Sequence, residues 1–178
     1  MFLMKKLFGL AALAVFTLGQ SMAAHALDGS VSVGATGDGS MVYRLGLQSD
    51  WDASWWQTST GRLTGYWDGG YTYWTASNHG PANNTVSFAP VFRYEFDGGA
   101  VKPFLEAGIG VAVFSNLRVD DNKLGTAFNF EDRIGFGLRF AGNQEVSIRA
   151  IHYSNGGIRE PNDGIEAYSL NYRMPLSF

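Results

Sequence analysis

The chain has no cysteine, so disulfides take no part in holding it together, even in an oxidising compartment where they would form. It has little net charge, and −3 over 178 residues is too small to argue for nucleic acid as a partner. Past residue 18 it has no apolar run approaching the ~20 residues that a membrane-spanning helix needs. Histidine is scarce, with only His25, His79 and His152. Glycine is plentiful at 23 residues and aromatics make up 15%, a balance that favours a turn-rich all-β protein over a helical bundle.

The N-terminus reads as a targeting segment. Lys5 and Lys6 precede the apolar run "LFGLAALAVFTL", and the small residues of "AHA" at Ala24–Ala26 suit a cleavage site. Residues 1–26 are expected to leave as a secretory signal peptide, taking His25 with them. Residues 27–178 then form one exported domain.

Within that domain apolar and polar residues alternate over long stretches. "VSFAPVFRYEF" places Val86, Phe88, Phe92 and Phe96 on one face, and "VKPFLEAGIGVAV" does the same with Leu105, Ala107, Ile109 and Val111. "FNFEDRIGFGLRF", "EVSIRAIHYS" and "EAYSLNYRMPLSF" repeat the pattern. A period of two means strands. Eight are expected, at about 29–36, 41–50, 61–74, 84–97, 101–115, 127–140, 145–154 and 166–178.

Which face is inside follows from what each row contains. The polar rows hold Arg93, Glu95, Glu106, Glu131, Arg133, Arg139 and Arg149 interleaved with glycines, and mixed charges with small residues can fill a narrow lumen by pairing. The opposite rows are large and apolar for about ten residues, the length of a tilted strand crossing hydrocarbon. The expected fold is therefore an eight-stranded antiparallel transmembrane β-barrel of the outer-membrane type. Closure leaves no unpaired backbone edge in lipid. The tight turns at 97–100 and 141–144 alternate with longer links at 75–83, 116–126 and 155–165, which matches short periplasmic turns and long outer loops. Two connections break the scheme, the tight "GDGS" at 37–40 and the longer "WDASWWQTST" at 51–60. The C-terminal Phe178 resembles an outer-membrane insertion signal. Trp51, Trp55, Trp56, Trp67 and Trp74 read as an interfacial belt, and His79 as a solvated loop residue.

The segment "IHYSNGG" (151–157) is where the pattern becomes chemical. His152 and Ser154 continue the row of Val146, Ile148 and Ala150, which faces lipid, and Glu166 opens the lipid-facing row of Tyr168 and Leu170 on the next strand. One histidine, one hydroxyl and one carboxylate are thus brought together outside the barrel, near the extracellular rim. Strand ends leaving the hydrocarbon would explain any one of them. All three together suit a nucleophilic triad, because ionisable groups turned toward lipid are costly. Ser154 would attack a carbonyl, His152 would take its proton, and Glu166 would hold the imidazole in the right tautomer. The Asn155 side-chain amide and the N–H groups of Gly156 and Gly157 are candidate oxyanion donors. Asp132 interrupts the outward row of the sixth strand. It is expected across from Ser154, either as a rim residue or as a further acid beside His152. Asp163 and Glu160 suit the role of histidine partner less well than Glu166.

H-x-S-N-G-G followed by a glutamate on the next barrel strand resembles the lipid A 3-O-deacylase (PagL) family of Gram-negative outer membranes. The likeness covers the signal peptide, the strand layout and above all Arg149–Tyr172. It implies hydrolysis of the ester at position 3 of lipid A, with release of a 3-hydroxyacyl chain and without metal or other cofactor. It assigns Ser154, His152 and Glu166 as serine, histidine and orienting glutamate, and implicates Asn155 in oxyanion stabilisation. The expected partner is lipid A, or lipopolysaccharide, in the outer leaflet of the bacterial outer membrane. A homodimer is left open. The alternatives are a non-enzymatic barrel of the OmpA or OmpX type, serving as adhesin or scaffold, and a palmitoyl transferase, whose site inside the barrel would need an apolar interior pocket.

Overall fold

A computed structural model describes residues 27–176, so the signal-peptide expectation and Phe178 lie outside the described residues. Eight long strands form the wall: β1 Leu27–Thr36, β2 Met41–Asp50, β4 Gly61–Trp74, β5 Asn83–Phe96, β6 Lys102–Phe114, β9 Phe128–Arg139, β10 Glu145–Ser154 and β11 Ile165–Pro175. Three short pieces decorate it, namely β3 Trp55–Thr58, β7 Arg118–Val119 and β8 Asn122–Lys123. Each long strand pairs antiparallel with its neighbours in sequence, and β1–β11 pairing closes the barrel. The closed wall pairs most of its backbone groups internally, as hydrocarbon favours, with the β5–β6 ladder interrupted at Ala89–Pro90, where proline has no N–H to donate.

The register fixes the tilt. Stepping from Ser154 to its partner on β9, and so on once around the wall, leads back to β10 opposite position 144, one step beyond the Glu145–Arg173 pair. Ten residues of offset over eight strands mean strands inclined by roughly 40°. A residue on β11 therefore stands slightly closer to the outer-loop end than its partner on β10, and one on β9 slightly further from it.

Alternation sorts the side chains as expected. Leu45, Val86, Ile109, Ile134, Ile148 and Leu170 are exposed on the exterior, while Arg93, Glu106, Arg133, Arg149 and Arg173 are buried within. Inside, Asp68 accepts hydrogen bonds from Arg44 and from Gln48 (2.8 Å) and lies 2.8 Å from Arg133. Arg93 grips both oxygens of Glu145 at 2.7 and 2.8 Å, its guanidinium 4.2 Å from the Phe104 ring centroid. Arg149 and the Tyr66 hydroxyl both donate to Glu106. The lumen is a packed ionic lattice.

That lattice does not run the full height, which corrects the expectation of a polar interior throughout. Toward the outer loops the inward rows turn apolar. Trp74, Phe114 and Tyr153 pack with ring centroids 5.3–5.7 Å apart, joined by Ile151, Ile165 and Ala167. Val119 and Leu124 from the loop between β6 and β9 close the top. Water is excluded there, so apolar side chains are the stable filling. Trp74 thus belongs to the interior and not to an interfacial belt.

The two irregular connections have separate causes. At 51–60 the chain folds back on the outer wall, with β3 paired to β4 and the Trp51 ring edge-on to Trp67 (5.5 Å) and Phe92 (5.0 Å). The tight 37–40 turn is tied to a long loop, because the buried Asp120 accepts from Thr36 (2.7 Å) and Ser40. Burial opposes ionisation of Asp120, but hydrogen bonds from Ser40, Ser77 and Thr36 hold its carboxyl below the ordinary aspartate range.

Asp68→Ala leaves Arg44 and Arg133 buried without their shared acid, an expected cost of about 3–5 kcal/mol. The temperature at which the folded band disappears on an unboiled gel should fall accordingly. A depressed carboxyl contributes stability above its unfolded-state pKa and loses it as the pH falls through the folded-state value. The Asp120 tie should therefore hold from neutral pH down to the ordinary aspartate range and release only below it. Asp120→Asn should weaken the tie already at neutral pH, read as faster tryptic cleavage after Arg118 or Lys123 in an otherwise intact barrel.

Candidate active site on the outer wall

His152 and Glu166 are direct register partners on β10 and β11, and both point outward. The His152 Nδ1 lies 2.8 Å from Glu166 Oε1, so the imidazole is anchored through one nitrogen. Ser154 stands two residues further along the same outward row. Two positions on a strand span about 6.8 Å along the backbone, a gap that side chains leaning together can close. The barrel tilt raises Glu166 above its partner His152, in the direction of Ser154. The parity reading therefore holds for all three groups. They sit on one face, outside the wall.

Other expected site residues are placed differently. Asp132 is the register partner of His152 on the side opposite Glu166, and the residue across from Ser154 is Phe130. The turn at 141–144, with its 3-10 segment Ala141–Asn143, pairs Arg139 with Glu145 and so sets this register. Asp163 is committed elsewhere: its side chain accepts from the Lys123 N–H at 2.9 Å and its own N–H donates to the Lys123 carbonyl at 3.0 Å. His79 is an exposed loop residue whose Nδ1 lies 3.0 Å from Asp121.

Asn155 is wholly buried, which corrects its expected part as a side-chain oxyanion donor. Its amide nitrogen donates to the carbonyls of Leu124 (2.8 Å) and Arg159 (2.7 Å), so both hydrogens are used inside the loops. Its backbone N–H donates to Asn162 (2.9 Å), and its carbonyl accepts from Ile158, closing a turn around Gly156 and Gly157. Those two residues have φ of 64° and 79°, the left-handed region that glycine enters without strain. The "NGG" sequence thus builds a sharp turn immediately after the serine. Asn155 and the reciprocal Lys123–Asp163 pair clamp that turn to the loop between β6 and β9.

One neighbour left no signal in the alternating pattern. Gly164 has φ of 72°, and a Cβ there would come within 2.8 Å of His152 Cε1. Its bare backbone is what gives the imidazole room.

Below the triad the exterior is dented. Ala107 and Ala150 are small where neighbouring outward residues are large, and they open a groove of ≈ 690 Å³ that starts at His152, Glu166 and Asp132 and runs past Ile134 and Tyr168 toward Phe92. A second depression of ≈ 740 Å³ continues along Leu105, Phe136 and Ile148. The walls are almost entirely apolar. Such a site can position an acyl chain beside a nucleophile and its base.

Comparison with known proteins agrees with this geometry. The family profile described as Lipid A 3-O-deacylase (PagL) matches residues 41–175. The lipid A deacylase PagL of Pseudomonas aeruginosa is 61% identical over 173 residues, covering 97% of this chain and 100% of its own length. That of Bordetella bronchiseptica is 35% identical over 105 residues, 58% of this chain and 57% of its own. The crystal structure of the outer membrane enzyme PagL superposes with a TM-score of 0.82 at 64% identity, covering 84% of this chain and 99% of that one. A designed transmembrane β-barrel shares the fold alone, with a TM-score of 0.51 and 14% identity over 85% of this chain and 96% of its own. On these likenesses the chain belongs to the lipid A 3-O-deacylase (PagL) family of outer-membrane enzymes.

Proposed function

We propose that this barrel cleaves the acyl ester at position 3 of lipid A by nucleophilic catalysis at Ser154, with His152 as base and Glu166 as its orienting acid. The observation that carries the reading is the 2.8 Å His152–Glu166 contact on the same outward face as Ser154, at the mouth of an apolar groove. Glu166 holds the proton on Nδ1, so Nε2 is the basic nitrogen and can accept the Ser154 proton. The serine oxygen adds to the ester carbonyl. The resulting oxyanion meets the N–H groups of the Gly156–Gly157 turn, which the glycines allow to approach closely. Collapse expels the sugar oxygen, which takes the proton from His152. Water then enters, His152 removes its proton, and hydrolysis of the acyl-enzyme frees the 3-hydroxy acid and restores Ser154.

The groove supports the substrate side of the reading. It lies on the hydrocarbon side of the triad and is open to the bilayer, so an acyl chain reaches it by lateral diffusion in the leaflet. Asn155 acts as a positioning residue, holding the oxyanion turn through Leu124 and Arg159. One barrel carries every group named in this mechanism.

Ser154→Ala and His152→Ala should each leave a folded barrel and remove deacylation, read by mass spectrometry of lipid A from cells expressing each variant. Continued loss of the 3-hydroxyacyl group with Ser154→Ala would overturn the nucleophile assignment. Glu166→Gln should keep the barrel but lower kcat by roughly 10⁴-fold, as expected when the imidazole tautomer is no longer held. Gly164→Ala pushes a methyl group against the His152 ring. A displacement of about 1 Å at the base should cost around a hundredfold in kcat, while the left-handed φ at Gly164 adds backbone strain of about 1–2 kcal/mol, read as a small fall in heat resistance of the folded band. Wild-type kinetics in Gly164→Ala would mean that the ring has slack.

A further inference from the structure

We propose that Phe130 and Phe128 form the platform against which the glucosamine ring of the substrate lies while its 3-linked chain occupies the groove. This rests on the reading of Ser154 as nucleophile. An ester of lipid A joins a chain to a sugar, so the two must leave the serine in opposite directions. The groove runs from His152 toward the end that carries the chain termini, which leaves the sugar on the loop side of Ser154.

What stands there is aromatic. Phe130 is the register partner of Ser154, and the barrel tilt puts the serine at a height between Phe130 and Phe128. The two rings pack edge to face with centroids 5.4 Å apart, and both remain more than one-third exposed. A Cβ on Gly156 would lie 3.1 Å from the Phe130 ring, so the bare glycine lets that ring rest against the turn that carries the oxyanion donors. Along β9 the outward order is Ile134, Asp132, Phe130, Phe128. A carboxylate thus separates the aromatic pair from the apolar groove. A wall meant only for hydrocarbon gains nothing from that interruption. A wall that meets an acyl chain below the ester and a sugar beside it does, because the C–H face of a pyranose packs on an aromatic face while its hydroxyls stay in water.

Phe130→Leu keeps apolar bulk against Gly156 and removes the flat face, so it is the first test, with folding checked on an unboiled gel. Rates are compared on lipid A and on the p-nitrophenyl ester of 3-hydroxytetradecanoic acid, which has no sugar, in the same detergent. The expected result is a loss of kcat/KM on lipid A about tenfold larger than the loss on the sugar-free ester, the size of one aromatic contact, with Phe130→Trp retaining lipid A turnover. Equal losses on both substrates, or no loss on lipid A, would overturn the platform. Binding gives a second readout that does not depend on the sugar-free ester being turned over. In a Ser154→Ala background, the fluorescence difference between the Phe130→Trp protein and its parent, which carries the five native tryptophans, should change on addition of lipid A but not of phosphatidylethanolamine, and an equal response to both would refute the proposal. Full deacylation by Ser154→Ala itself would instead sink the underlying mechanism, so the two failures are distinguishable.

Discussion

A closed antiparallel wall in hydrocarbon gives every side chain only two destinations, and each residue's parity decides which. Backbone pairing is obligatory in lipid, so a strand cannot slip by one position without turning its whole apolar row inward. On β10 that constraint is strict. Val146, Ile148 and Ala150 must face the bilayer, so His152 and Ser154 face it too, and on β11 the same logic carries Glu166 outward with Tyr168 and Leu170. The site's location follows from the register, which on the other face sets Arg149 against Glu106 and Arg173 against Asp28.

Parity places the groups but does not fix them to the precision that the proposed proton transfer demands. Rigidity comes from both sides of the wall. Behind the triad, Ile151 and Tyr153 alternate with His152 and Ser154 and insert into the apolar plug of Trp74 and Phe114. In front, the loop between β10 and β11 is pinned to the loop between β6 and β9 through Asn155 and through Asp163 with Lys123. Further down, the ionic lattice keeps the lumen closed. A narrow barrel filled in this way resists the local opening that would blur the geometry on its surface.

Much of this was legible in the sequence, because period-two alternation is the most direct signal a barrel gives. All eight long strands, the outward facing of the triad and the Glu166 partner follow from it. What escaped the pattern has physical reasons. Alternation gives a polar row one character along its length, whereas Tyr153 and Ile151 continue the row of Arg149 into an apolar plug, so the change of lumen filling leaves no mark in the period. Glycines in "RLTGYWDGGYTYW" interrupt the alternation that would turn Trp74 inward. Asp132 faces His152 and not Ser154, a shift of two residues set by the geometry of the 141–144 turn, which composition does not encode. Chain proximity of Asn155 to the serine says nothing about which carbonyls its amide will find. Gly164 needed coordinates, since its effect is the absence of an atom beside a ring.

Placing ionisable groups on the outside of a membrane barrel is costly, and the cost is offset by where the substrate lives. A chain already dissolved in the leaflet reaches an exterior groove by lateral diffusion and need not be lifted into a lumen. An interior site at that height would require access through the wall, with unpaired backbone groups facing hydrocarbon, and it would displace the packed plug of Trp74, Phe114 and Tyr153. The exterior site requires only two small residues, Ala107 and Ala150, in rows otherwise bulky, with polar side chains at the loop end of the groove. His152 and Glu166 shield each other by pairing, which lowers the penalty of leaving both near lipid. Under the proposed two-step mechanism the depth of the ester would set specificity: a bond deeper in the hydrocarbon would have no water for the second step, and one higher in the solvent would leave the groove empty.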